Sequence, residues 1–214
     1  MRRLLVLGIV IISALKINSQ VEVERYDTIV RETIYTSYYS KKIEGPSFVV
    51  YKLYKGGGDV DRKGMTFSSP FPHFQYKGSG YDKGHLCPAE DFAYSRELEK
   101  LTFRYYNTVP MTKKLNRGKW ETVEEKVRDL SQNDSLLIIC GGSSYSGLIP
   151  MKCFKLVYSL TTGAKLISLV FSNSDTKVDM EQIDLSSLFK FCSSTPSKLL
   201  IMINKQDNYE SSWK

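Results

Sequence analysis

The sequence predicts an α+β fold built around an antiparallel sheet. Short strand candidates follow one another through tight turns, few segments carry helical phasing, and no regular alternation of strand and crossover helix is present. Taken in order, Val21 to Tyr39 is polar and weakly patterned, a lead-in strand or a loose arm. Phe48 to Leu53 (Phe-Val-Val-Tyr-Lys-Leu) is a strand stopped by Gly56-Gly57-Gly58. Glu97 to Phe103 reads as a short helix leading towards Asn107, and the stretch from about Asn116 to Leu130 as a longer one. Leu136 to Cys140 is a continuous apolar run of buried-strand type, and Phe154 to Leu160 with Leu166 to Phe171 form a hairpin around Thr162-Gly163. Asp184 to Phe191 suggests a helix and Leu199 to Ile203 a last strand. No internal repeat or low-complexity segment divides the chain, which reads as one domain.

The N-terminus is of a different kind. Met1-Arg2-Arg3 is a positive start, Leu4 to Leu15 an almost uninterrupted apolar run, and Lys16 to Gln20 a polar exit. About a dozen apolar residues fall short of the roughly 20 that cross a bilayer, so residues 1–20 are read as a secretory signal peptide cut near Ser19. An uncleaved anchor stays open as the alternative. The expected product is a secreted or periplasmic domain, 21–214, with no stable membrane association after cleavage. Loss of Arg2, Arg3 and Lys16 lowers the net charge from +7 to about +4, mildly basic and favourable to a polyanion without proving one. Lys113, Lys114, Arg117 and Lys119 concentrate that charge locally. Cys87, Cys140, Cys153 and Cys192 permit zero, one or two disulfides, and the sequence does not choose among the pairings. A zinc site is disfavoured, because no Cys-x-x-Cys pair exists.

Only two histidines occur, His73 and His85. His73 lies in a proline-bounded loop and has no partner pattern, whereas His85 closes Asp82-Lys83-Gly84-His85 ahead of Leu86-Cys87-Pro88. An imidazole titrating near neutrality suits the removal of a proton from water. Thirty-one residues further on stand Asn116, Trp120, Glu124 and Arg128. On a helix each step of four turns the side chain by about 40° and advances it about 6 Å. The four would then form one drifting stripe carrying a neutral oxygen donor, an aromatic anchor, an acid and a guanidinium. Each residue also has a plainer reading: a histidine satisfied in the core, an asparagine helix cap, a tryptophan packed inside and solvated charges.

Gly80 to Phe92, containing Asp-Lys-Gly-His, resembles the Asp-Arg-Gly-His motif of the DNA/RNA non-specific endonucleases of the ββα-metal superfamily. Tyr106-Asn107-Thr108-Val109-Pro110, Leu115-Asn116-Arg117-Gly118-Lys119-Trp120 and Glu124 are similar to the family's second block, with its spacing kept. Weaker likeness runs from about Tyr38 to Phe191 and includes Ile149-Pro150 to Phe154-Lys155. The resemblance implies a ββα-metal fold, a central antiparallel sheet flanked by helices, with a catalytic helix starting near Asn116. It implies His85 as general base, Asn116 as the one direct ligand to Mg²⁺ (Mn²⁺ or another divalent ion being an alternative), and Glu124 holding metal-bound waters. Asn107 would fix the site by hydrogen bonding, Lys83, Arg117 and Arg128 would meet phosphate, and Asp82 would support the turn. The implied partners are DNA and RNA, recognised through their backbones. A homodimer is compatible with the family, and an inhibitor protein is left unspecified. Lysine at 83 departs from the motif: the charge is kept, but the two-pronged donor is lost. The expected function is therefore a metal-dependent endonuclease of DNA and RNA with little sequence or sugar preference. The alternatives are a single-sugar nuclease and a nuclease-like domain, impaired in turnover, that acts as a nucleic-acid-binding or interaction module.

Overall fold

A computed structural model describes residues 23–182. The signal peptide, the Asp184–Phe191 helix, the Leu199–Ile203 strand and Cys192 fall outside the described residues. Seven strands form one antiparallel sheet, in the order β1 (Thr28–Arg31), β2 (Tyr35–Ser40), β3 (Gly45–Leu53), β6 (Leu136–Ser146), β7 (Ile149–Ser159), β8 (Lys165–Ser172) and β9 (Met180–Gln182). Between β3 and β6 the chain leaves the sheet to build a second unit. This consists of β4 (Asp82–His85), α1 (Arg96–Thr102), β5 (Thr108–Met111) and α2 (Glu121–Ser131), with β4 and β5 paired as a separate two-stranded sheet. The expected α+β architecture and its ββα element are thus present.

Both faces of the central strands are buried, which is why their sequences read as apolar runs rather than alternations. Val49, Tyr51 and Leu53 of β3, Leu136, Ile138 and Cys140 of β6, and Cys153 and Val157 of β7 share one cluster with Leu86, Leu115, Trp120 and Val127 of the second unit. The intervening residues Phe48, Val50, Leu137, Ile139, Phe154 and Leu156 form a cluster on the opposite face. The second unit is therefore fastened to the first face by side chains two apart on each strand. Lys155 falls in phase with Cys153 and Val157, so a cation is delivered under the second unit and is fully buried there. No disulfide joins Cys87, Cys140 and Cys153, all buried thiols. The Cys140 thiol donates to the Leu86 carbonyl at 2.9 Å and links the sheet to the segment just after His85.

Most expected elements are found where the patterns put them, with longer bounds: the Leu136 run extends to Ser146, and the hairpin turn holds Gly163 at φ 72°. The lead-in segment is two strands, β1 and β2, rather than a loose arm. The helix expected from about Asn116 is present but kinked: Leu115–Trp120 is a wide helical turn in which Arg117 and Gly118 leave helical backbone angles, and regular α-helix starts at Glu121.

Candidate functional site

The motif strand β4 is short and antiparallel to β5, with Lys83 opposite Pro110, Gly84 opposite Val109 and His85 opposite Thr108. Its alternation puts Lys83 and His85 on one face, and both contact Phe67 there: the Lys83 ammonium lies 5.2 Å from the ring centroid and the His85 ring 5.2 Å. Gly84 faces the other way, into Met111. A β-carbon there would stand 2.4 Å from the Met111 sulfur, so the motif glycine is a packing requirement. Gly84→Ala should cost about 1–3 kcal/mol of stability by overpacking, measurable as a lower urea midpoint with an unchanged slope.

His85 is set from several directions. The Trp120 indole donates to its carbonyl at 3.2 Å, and Phe103 packs against its ring at 5.4 Å. Asn107 is wholly buried. Its side-chain oxygen accepts from the Cys87 amide at 2.9 Å, and its nitrogen donates to the carbonyls of Cys87 and Thr102 at 2.8 and 2.9 Å. It fixes the chain just beyond His85 and lies in the core rather than in the cleft. The His85 Nε2 atom is buried and has no hydrogen-bond partner among the described residues. Burial first, then the positive fields of Arg62 and Lys83, push its imidazole down to about 4, so it is neutral at neutral pH.

A cleft of about 140 Å³ opens beside His85. Asn116, Arg117, Glu124 and Arg128 line it, together with Arg62, Glu90 and Glu121. The Asn116 amide nitrogen donates to Asp82 at 3.2 Å, and Arg117 grips the same carboxylate at 2.8 and 2.9 Å. These donors hold the Asp82 carboxyl below its ordinary range. Asp82 thus orients the asparagine and occupies the guanidinium that was expected to meet phosphate.

Glu124 lies beneath the cleft, its carboxylate accepting from Lys155 Nζ at 3.3 Å, and that ammonium sits 4.2 Å from the centroid of the Trp120 ring. Burial raises the Glu124 carboxyl to about 7, with Lys155 opposing and Asp91 reinforcing the shift. Arg128 is held by Asp91 at 3.2 Å and Glu90 at 3.4 Å. Asp91 also accepts from the Tyr51 hydroxyl at 3.0 Å, and its carboxyl is raised to about 6 by burial.

Among the predicted site residues, His85, Asn116, Arg117, Glu124 and Arg128 therefore meet at one cleft, whereas Asn107 supports it from the core and Lys83 rests on aromatic rings beside it. Trp120, the aromatic anchor of the expected stripe, is fully buried in the core cluster, which is the packing role rather than a substrate contact. The kink at Arg117–Gly118 separates Asn116 from the regular helix, whereas Trp120 keeps its helical phase with Glu124, Lys155 touching both. The basic group is also divided, since Lys114 and Lys119 donate to the carbonyls of Thr176 and Val178, with Lys119 at 2.7 Å. Arg62 had no sequence signal: it comes from the loop after the three glycines and reaches the cleft by pairing with Glu90 and, at 3.4 Å, with Glu99.

A divalent ion can be tested against these donors. Among the described residues no three His, Cys, Asp or Glu side chains converge as a protein cage. What the cleft offers is the Asn116 carbonyl, turned by its amide's bond to Asp82, with the carboxylates of Glu121 and Glu124 along the same wall. An oxygen-only set with few direct ligands suits a hard, well-hydrated ion of the magnesium type.

A family model described as DNA/RNA non-specific endonuclease matches residues 17–198. Among curated proteins, the chain is 31% identical over 107 residues to a nuclease of Nostoc sp., covering 46% of this chain and 39% of that protein. It is 28% identical over 118 residues to mitochondrial endonuclease G of Bos taurus, covering 50% and 40%. To a salivary endonuclease of Lutzomyia longipalpis it is 28% identical over 120 residues, covering 55% and 28%. The matches thus span two fifths or less of these relatives' lengths. A solved structure of an EndoG/EndoGI complex shares the fold, with a TM-score of 0.54 at 20% identity, covering 81% of this chain and 82% of that one.

Proposed function

Because the chain belongs to the DNA/RNA non-specific endonuclease family, we propose that it is a metal-dependent endonuclease hydrolysing phosphodiester bonds of DNA and RNA with little preference for sequence or sugar. The observation that carries the reading is the meeting of His85, Asn116, Glu124 and Arg128 at one polar cleft. The N-terminal charge and apolar pattern supports export of the domain.

In this reading His85 takes the proton from the water that attacks phosphorus in line, a role open to it because its ring is neutral. Phe67 and Phe103 pack against the ring and the Trp120 hydrogen bond holds the backbone carbonyl that carries it, so little reorganisation accompanies the transfer. Asn116 and Glu124 would hold Mg²⁺, the asparagine directly and the glutamate through water. Bound there, the ion would supply charge stabilisation to the departing 3′ oxygen, leaving a 5′ phosphate end. Arg62 and Arg128 flank the cleft with guanidinium groups suited to phosphate oxygens, each braced by carboxylates that set its direction.

The test is incubation of residues 21–214 with plasmid, single-stranded DNA and RNA, with magnesium or with chelator. Magnesium should switch cleavage on for all three. Asn116→Ala should lower the rate by roughly 100-fold or more, a loss of several kcal/mol of charge stabilisation, and raise the magnesium concentration needed for half-activation. Binding without metal-dependent cleavage would overturn the enzyme reading in favour of a binding module. Cleavage unaffected by Asn116→Ala would overturn the metal assignment.

A further inference from the structure

Beside the cleft, on the His85 side, runs a chain of aromatic rings that the proposed hydrolysis does not use. Phe67 touches His85 at 5.2 Å and Tyr105 at 5.5 Å. Tyr105 stacks on His73, with centroids 3.7 Å apart and planes 11° off parallel, and on Tyr76 at 5.9 Å and 19°. Tyr76 in turn meets Phe74 at 5.0 Å. A core cluster would be closed to solvent, yet Phe67, His73, Phe74 and Tyr105 are each only half-buried. Set among them is a cation, the Lys83 ammonium, 5.2 Å from the Phe67 centroid and 5.5 Å from that of Tyr76.

The loop that carries His73 and Phe74 is held in place. Its Pro72 carbonyl accepts from the Tyr39 hydroxyl at 2.8 Å, and Phe71 stacks on Tyr39 at 4.9 Å. The rings are thus ordered before any ligand arrives, which lowers the cost of binding.

Half-exposed rings on a braced loop, joined to the cleft through the Phe67–His85 contact and carrying a cation, suit one chemistry: unpaired bases that stack while their backbone follows positive charge. Resting on the nuclease reading above, we propose that Phe67, His73 and Phe74, with Tyr105 stacked behind His73, form a stacking subsite for the unpaired bases on one side of the scissile phosphate. Duplex bases are already stacked inside their own helix and do not use it. The subsite therefore favours single strands, loops and frayed ends.

Binding without turnover separates this subsite from the hydrolysis. Fluorescence anisotropy in chelator would compare a single-stranded oligonucleotide, the same strand with consecutive abasic residues, and the duplex. The wild type should bind the intact strand roughly 5- to 100-fold more tightly than the abasic one. His73→Ala and Phe74→Ala should erase most of that ratio and leave duplex binding unchanged. Phe74→Leu, which keeps apolar bulk and removes the ring, guards against misfolding and should behave like Phe74→Ala while melting like the wild type. Equal weakening on intact and abasic strands, or unchanged binding in all three variants, would overturn the subsite. Base-dependent binding by a protein that cleaves nothing would leave the subsite standing and remove the nuclease reading. Cleavage without base-dependent binding would do the reverse.

Discussion

His85→Ala should abolish most cleavage, with kcat down by about 10²- to 10⁴-fold, the usual contribution of a positioned proton acceptor. KM should change little, because the ring contributes one neutral contact while the guanidinium groups of the cleft stay in place. Far-ultraviolet circular dichroism should be unaltered, since Trp120 bonds the backbone carbonyl of His85 rather than its ring. The sign of the pH dependence follows from the same burial. With the folded-state value near 4 rather than 6.5, the free enzyme's His85 stays neutral into mild acid, so the acid limb of kcat/KM lies below the ordinary imidazole range. The folded protein also binds this proton less readily than the unfolded chain does. Its contribution to stability is present above about pH 6.5 and is lost as pH falls towards 4. An acid limb at or above 6.5 would show that the ring is more hydrated than its surroundings indicate.

The largest loss of stability is expected at the cation beneath the cleft. Lys155→Met removes the buried partner of Glu124 and should cost about 3–5 kcal/mol in urea unfolding at pH 8 in chelator, as breaking one side of a buried ion pair does. Its pH dependence can be signed. Burial already holds the Glu124 carboxyl near 7, above its unfolded value, and loss of Lys155 removes an interaction that lowers it. The folded protein then takes up the proton more readily, so the penalty is smallest below about pH 4.5 and grows as pH rises through the raised value. Glu124→Gln in the Lys155→Met background should recover much of the loss, because the unpaired charge is gone. A double variant no more stable than the single would place the cost in the lost packing of Lys155 on Trp120 instead.

Which parts were legible in the sequence follows from how each is held. β3, β6, β7 and β8 announce themselves because they bury apolar side chains on one or both faces, whereas the cap that starts α1, Ser95 accepting from the Leu98 amide at 3.4 Å, is seen only in the structure. β4 is hidden, since Asp-Lys-Gly-His has no apolar alternation, and its partner β5 lies beyond a helix. Helical phasing grouped Asn116, Glu124 and Arg128 at the cleft, and Trp120 was legible as a packing anchor, but the kink at Arg117–Gly118 leaves no mark in a count of fours. Arg62 belongs to a glycine-rich loop whose path depends on distant carboxylates. The Lys155–Glu124 pair joins residues 31 apart on different elements, a contact that only the closed sheet creates.

That closure orders events in time. Leu53 ends β3 and pairs with Leu136 at the start of β6, so the whole insertion that carries the proposed site is one loop whose ends must meet at an entropic cost of about 4 kcal/mol. Every residue of the Asp-Lys-Gly-His and Asn116 segments is synthesised before Leu136, yet the strand that receives them and the lysine that braces Glu124 come afterwards. On the proposed reading, a nascent or interrupted chain should therefore hold the groups assigned to hydrolysis in no particular arrangement and stay inert towards the nucleic acids of the cell making it, until the far side of the sheet has been made.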